Sequence, residues 1–193
     1  TGPNNRVVQY TYDIYGHLIS DTDPNGGVQQ YHYDADGVLD TITDRRGHIL
    51  IANTYDDSQR VNNQDNGKGN VTTFAYDTPS TGKTSITDAL GNVTIHEHDA
   101  LRRLISETDP LGHSISYAYD ANNNRTQITD KNGHITTFTY DTQGNMLTKT
   151  DALGNVTTLE YNSLNDPTRI TDALGHNTLF GYDAKGNLTQ VTN

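Results

Sequence analysis

Two stretches of this sequence space their side chains for chemistry. DTDPNG at 21–26 matches the opening of a calcium loop, Asp-x-Asp-x-Asn-Gly, in which alternating oxygens surround a hard cation. The position where a bidentate glutamate would close that loop is His32. HEHD at 96–99 sets His96 and His98 two apart, on one face of a strand, where imidazoles could begin a zinc or nickel site. DAD at 34–36 and DANNN at 120–124 offer further acid and amide oxygens. Asn-x-Thr occurs at Asn70, Asn92, Asn124, Asn155 and Asn187, the glycosylation acceptor pattern. No Ser-His-Asp grouping stands out and no Gly-x-x-x-x-Gly-Lys-Ser/Thr occurs, so catalysis has no candidate residue.

All of these residues belong to a repeat. Tyr-Asp or a close variant begins at Tyr12, Tyr33, Tyr55, Tyr76, His98, Tyr119, Tyr140, Tyr161 and Tyr182, at spacings of 21 or 22. A second signature, Thr-Asp-x-x-Gly, follows within each period: TDPNG at 22, TDRRG at 43, TDALG at 87, TDPLG at 108, TDKNG at 129, TDALG at 150 and TDALG at 171. The third unit reads DNGKG at 65 and keeps its Gly69. The chain thus holds eight complete units with a partial unit at each end.

Each signature has a mechanical reading. The Asp carboxylate accepts backbone N–H groups ahead of it and fixes a type I turn, and the glycine takes the left-handed conformation that closes a hairpin with a bulge. In the Tyr-Asp-x-x-Gly turn the closing residue is Gly16, Gly37, Gly144 or Gly186, or Asn123 or Asn165, the residue type that best tolerates positive φ after glycine. Gln59, Arg102 and the insertion TPSTG at 78–82 break the pattern, and those turns are expected to differ. The same turns account for the acids of the calcium-like stretches.

Between turns lie runs of about six residues rich in Thr, Val, Ile and aromatics, too short and too β-branched for helices. Of fifteen aromatics, fourteen fall in two columns: the repeat Tyr, and the position two before it, as in Tyr10, Tyr31, Phe74, Tyr117, Phe138 and Phe180. Residues two apart share a strand face, so stacked units build paired aromatic ladders. His96 and His98 fall in these columns, where imidazoles stand in for Phe and Tyr. Leu18, Leu39, Val61, Leu104, Met146 and Leu188 form a third column on the facing strand. His17, His48, His113, His134 and His176 follow turn glycines and are expected to be solvated. Burying three large side chains per unit cannot alone order its 21 residues, so neighbouring units have to share the work.

Composition narrows function. Thirteen Lys plus Arg against twenty-four Asp plus Glu leave a net charge of −11, which repels nucleic acid and anionic membranes. No apolar run approaches the roughly 18 residues of a membrane helix. The N-terminal TGPNNRVVQY has no charged-then-apolar signal character. Zero cysteines exclude disulfides and thiol chemistry.

The stretch YDTQGNMLTKTDALGNVTTLEY at 140–161, with its Tyr-Asp-x-x-Gly-Asn-Leu-like and Thr-Asp-x-x-Gly-Asn marks recurring along the chain, resembles the YD repeat of the RHS/YD-repeat family. That family includes bacterial Rhs proteins, the C components of ABC toxin complexes, wall-associated toxins and animal teneurins. The resemblance implies β-hairpins that spiral into a hollow shell, which in bacteria encloses a C-terminal toxin domain until delivery. The family's self-cleaving aspartyl protease site belongs to a terminal region with no counterpart here, so no aspartate of this chain inherits that role.

The fold expectation is all-β: tandem antiparallel hairpins of about 21 residues over 1–193, forming a curved, extended or spiral strip of sheet, cut from a larger protein. The function expectation is a non-enzymatic shell segment of a secreted or cell-surface bacterial toxin protein. Its expected partners are neighbouring repeats and an enclosed C-terminal domain, without nucleic acid or membrane insertion. The alternative is a carbohydrate- or receptor-binding module of an adhesin, with tyrosine faces stacking on sugars. No residue is assigned as catalytic, cofactor-binding or metal-ligating. Neither end shows a polar capping repeat, so edge-to-edge self-association is a further expectation.

Overall fold

Turn signatures every ten or eleven residues leave room only for short strands, and strands of four to seven residues fill the chain. The computed structural model describes residues 6–193. The first five residues, read above as part of an N-terminus without signal character, lie outside them. Two compact units divide the chain, the first ending at Ile95 and the second running from His96 to Asn193.

The first unit holds β1 (Gln9–Tyr12), β2 (Leu18–Thr22), β3 (Val28–Tyr33), β4 (Leu39–Thr43), β5 (Ile49–Tyr55), β6 (Val61–Asp65), β7 (Val71–Tyr76) and β8 (Lys83–Thr87). β9 (Val93–His98) carries the chain across the division. The second unit holds β10 (Leu104–Thr108), β11 (Ser114–Tyr119), β12 (Arg125–Thr129), β13 (Ile135–Tyr140), β14 (Met146–Thr150), β15 (Val156–Tyr161), β16 (Pro167–Thr171), β17 (Asn177–Tyr182) and β18 (Leu188–Thr192). Each strand pairs antiparallel with its successor from β1 to β8, and again from β10 to β18. The chain is all-β, a run of hairpins, as the repeat predicts.

The register puts the expected columns together. Tyr12 lies opposite Leu18, Tyr33 opposite Leu39, Tyr55 opposite Val61, Tyr140 opposite Met146 and Tyr182 opposite Leu188, each beside a β-bulge. β3, β13 and β15 alternate exposed and half-buried residues along their length, with the aromatic columns on the half-buried face. The 22-residue periods have separate causes. One holds an extra bulge between Ile42 and Thr43, and the other holds the 78–82 insertion.

Full burial of the ladders does not occur. Among the described residues no hydrophobic side chain is buried, and the one buried residue is Asp21, 8 % exposed. Neighbouring rungs cover the flanks of a ring and leave its outer surface open. A different contact ties the units together. From Tyr33 onward each repeat tyrosine donates its phenol to the backbone carbonyl that opens the facing strand of the preceding unit: Tyr33 to Leu18 at 3.1 Å, Tyr76 to Val61 at 2.8 Å, Tyr119 to Leu104 at 2.8 Å, Tyr140 to Arg125 at 2.9 Å, Tyr161 to Met146 at 3.0 Å and Tyr182 to Pro167 at 2.9 Å. Tyr55 donates to Leu39 in the same way. The column is therefore tyrosine for its hydroxyl as well as its ring.

The turns follow one plan. In the Tyr140–Met146 hairpin, the Gly144 N–H donates to the Asp141 carbonyl at 3.2 Å and Gly144 has φ +89°. Asp141 Oδ1 accepts the N–H groups of Gln143 at 2.9 Å and Asn145 at 2.8 Å. The Gln59 and Arg102 turns were expected to differ, and they do not. Gln59 and Arg102 adopt φ of 59° and 62°, and their N–H groups donate to Asp56 and Asp99 at 2.9 Å. In both turns the next residue is an arginine whose Nε reaches the turn carboxylate, at 2.8 Å for Arg60–Asp56 and 2.7 Å for Arg103–Asp99. These forks stand where the left-handed backbone costs about 1–2 kcal/mol. The insertion does differ: Thr78 and Lys83 close a longer loop, with Gly82 donating to Asp77 Oδ1 at 2.9 Å.

Two outcomes follow, both read by native-state hydrogen exchange on the flanking strands. Tyr161→Phe removes a bond between units and lowers the opening free energy of β14–β15 by about 1 kcal/mol; an unchanged exchange pattern would refute the tie. Gln59→Gly raises local stability by about 1 kcal/mol and Gly144→Gln lowers it by a similar amount. Equal stability for both pairs would show that the left-handed residue is not a constraint.

Candidate functional site

The chain's acids, amides, imidazoles and guanidinium groups gather at the turns, so any site has to be built there. Position four after the turn Asp decides what each turn presents. Its side chain reaches the outer carboxylate oxygen, Oδ2, while Oδ1 is held by backbone N–H groups. Asn92, Asn124, Asn145, Asn155 and Asn187 donate their amides to Asp88, Asp120, Asp141, Asp151 and Asp183 at 2.8–3.0 Å. His17, His48, His134 and His176 place Nδ1 at 2.8, 3.2, 3.0 and 2.8 Å from Asp13, Asp44, Asp130 and Asp172. In one turn the roles reverse, with Asn162 donating to Asp166 at 3.0 Å.

This clamp was not foreseen in the sequence, although its signal was there as a column of Asn, His and Arg one place after the turn glycine. The histidines expected to be solvated are exposed or half-exposed, yet each faces its turn Asp. Four of the Asn-x-Thr asparagines, Asn92, Asn124, Asn155 and Asn187, are clamps. Asn70 sits in the same place with its amide 3.5 Å from Asn66 Oδ1.

Gly27, Val38 and Gly69 stand four residues after a turn Asp and bring no side-chain donor to it. At Gly27 another cation takes over. A Cβ there would lie 2.8 Å from Arg45 Cδ, so the glycine makes room for Arg45, whose Nε reaches Asp23 at 3.0 Å and whose Nη2 reaches Asp21 at 2.6 Å. Tyr31 donates to the other Asp21 oxygen at 2.9 Å. The two carboxylates of the calcium-like DTDPNG do converge, and a guanidinium lies between them. His32, at the closing position of that loop, bonds Asp40 at 2.6 Å instead.

The other candidates resolve similarly. Asp34 Oδ1 accepts the N–H groups of Asp36 and Val38, and Asp120 Oδ1 accepts those of Asn122 and Asn124. His96 and His98 lie 6.4 Å apart by ring centroids at a steep angle, with His96 Nε2 3.6 Å from Glu107. No group of three or more His, Cys, Asp or Glu among the described residues could hold a metal ion. No helix among them is long and apolar enough to cross a membrane.

The clamps also set the electrostatics. The side chain four residues on is the leading cause that holds Asp88, Asp99, Asp120, Asp141, Asp151, Asp172 and Asp183 below the ordinary carboxylate range. Lys131, from the next unit, donates to Asp109 at 2.9 Å and holds its carboxyl down at about 2. Lowered carboxyl values stabilise the fold above the unfolded value of about 3.9, and that contribution drains as pH falls through the folded values. Circular dichroism is thus expected to be steady between about pH 5 and 7 and to lose sheet signal below about pH 4. A sheet unaltered at pH 2 would contradict this. Lys131→Met is expected to move the Asp109 titration up toward its ordinary value, read by carboxyl carbon NMR.

Comparison with known proteins matches these features to one family. The family model described as RHS Repeat matches residues 80–114, 103–135, 119–156, 140–176 and 161–193. No curated protein sequence matches the chain. Among solved structures, TcdB2–TccC3 without its hypervariable C-terminal region aligns at TM-score 0.65 and 18 % identity, covering 97 % of this chain and 12 % of that one. The Photorhabdus luminescens Tc holotoxin pore, carrying a TccC3 mutation, aligns at TM-score 0.63 and 17 % identity over 96 % of this chain and 12 % of that one. At that identity the likeness is one of fold, and the chain spans about an eighth of those structures' length. With five overlapping matches and clamped hairpin turns along its length, the chain belongs to the RHS repeat family.

Proposed function

We propose that this chain is a length of shell wall in a secreted or cell-surface bacterial Rhs-type toxin protein, without catalysis of its own, whose work is steric enclosure of a C-terminal toxin or cargo. The observation that carries this reading is that nearly every acid, amide and imidazole of the turns is spent on holding a hairpin. The same arrangement recurs along an array that aligns with part of a Tc toxin component. A repeated wall element needs no reactive group, and a wall gains from adding units.

The carbohydrate-binding reading has less behind it. The ladder tyrosines that would stack on sugars spend their hydroxyls on backbone carbonyls, which fixes them as ties between units.

Limited proteolysis of the full-length protein tests the enclosure. The C-terminal segment is expected to resist protease while the shell is folded and to be cleaved once acid or denaturant opens it. Cleavage at the same rate in both states would overturn the proposal.

A further inference from the structure

Among the Tyr-Asp turns, the one at Asp34 stands beside the tyrosine of the next unit without a clamp. Val38 stands at the clamp position of the Asp34 turn, and among the described residues no side chain bonds the outer oxygen of Asp34. Tyr55 in the next unit lines the same cleft, which has a volume of about 440 Å³. Its lining also includes Asp36 and Asp57 and contains no lysine or arginine.

The equivalent clefts show what fits. Between the Asp56 turn and Tyr76, Arg60 forks onto Asp56 with Nε and Nη2 at 2.8 Å and lies 4.2 Å over the tyrosine ring. Between the Asp99 turn and Tyr119, Arg103 does the same at 2.7 Å and 4.8 Å. In the first unit His17 stacks on Tyr33 with centroids 4.7 Å apart while bonding Asp13. Where Gly27 removes the clamp, Arg45 is recruited from a neighbouring turn. In the Asp13, Asp56 and Asp99 turns a planar imidazole or guanidinium thus lies between turn carboxylate and tyrosine face, and at Asp34 and Tyr55 the chain supplies none. The planar fork and the ring quadrupole both favour guanidinium over ammonium.

We propose that the cleft between the Asp34 and Asp56 turns receives the guanidinium of an arginine side chain from a partner polypeptide, seated between the Asp34 carboxylate and the face of Tyr55. This reading is independent of what the wall encloses. It makes the turn edge of this one unit a contact point for an arginine-bearing segment.

The test is NMR titration of the 193-residue chain with the capped tripeptide Gly-Arg-Gly and its lysine counterpart. The arginine peptide is expected to shift the Tyr55 ring resonances, with the lysine peptide at least about threefold weaker. Val38→Arg, which supplies the missing clamp from within, is expected to abolish the response. Asp34→Asn keeps the turn, because Asn162 accepts the same backbone bonds in its own turn, and is expected to weaken binding severalfold. Equal affinity for the two peptides, no response of Tyr55 at saturating millimolar peptide, or a response that survives both substitutions would overturn the proposal. If Val38→Arg fails to fold, Asp34→Asn decides alone.

Discussion

The structure depends on a carboxylate that accepts backbone N–H groups two and four residues ahead of it. In Asp88, Asp109, Asp130, Asp151 and Asp172 alike, Oδ1 holds both groups at 2.8–3.0 Å and closes a hairpin that has little else to close it. With no buried hydrophobic core among the described residues, no interior packing can select the fold. Selection has to be local and repeated. Each turn satisfies donors that a bare β-turn leaves to water, and each sets the register of the two strands it joins.

That constraint explains how deviations are tolerated. Where Gln59 and Arg102 hold the left-handed position in place of glycine or asparagine, an arginine fork follows, at Arg60 and Arg103. Where the first residue is Asn66 or Asn162, the amide oxygen accepts the same backbone groups. Asn162 also exchanges donor and acceptor roles with Asp166. A missing partner is thus replaced by one that makes an equivalent bond, and the hairpin survives each exchange.

Much of this was legible in the sequence because it is local. Asp-x-x-Gly states its own turn, and alternation of aromatic and polar residues states a strand face, so fold class, repeat length and columns follow from spacing alone. Apart from the column of clamps, what escaped needs a partner that leaves no mark in sequence. The phenol of Tyr161 bonds a backbone carbonyl at Met146, and a carbonyl has no residue type to betray it. The Gln59 turn read as an exception because the cost of positive φ is visible in one residue while the Arg60 fork beside it is visible only in space. The pairing of Arg45 with Asp21 and Asp23 depends on the space left by Gly27, across 24 residues of sequence for the first of them. The calcium-like spacing of DTDPNG was real as a convergence of carboxylates and silent about which cation they meet.

Polar residues within the aromatic columns follow from the same half-buried state. Gln64 donates to Asn53 at 3.0 Å across β5 and β6, His96 approaches Glu107 at 3.6 Å, and Tyr31 and Arg45 together bind Asp21. In a closed core each such group would need complete pairing to avoid a desolvation cost of kilocalories, but a column with one open side lets water complete what a single cross-strand partner begins. Column positions can therefore change chemistry from unit to unit while the turns hold the period. The one-residue slips are absorbed in the same spirit, by the bulge at Ile42 and Thr43 and by the loop at 78–82, because a ladder without a jigsaw core has no interior shape to violate. A fold built this way can be lengthened or varied unit by unit, with the turn carboxylates as its fixed points.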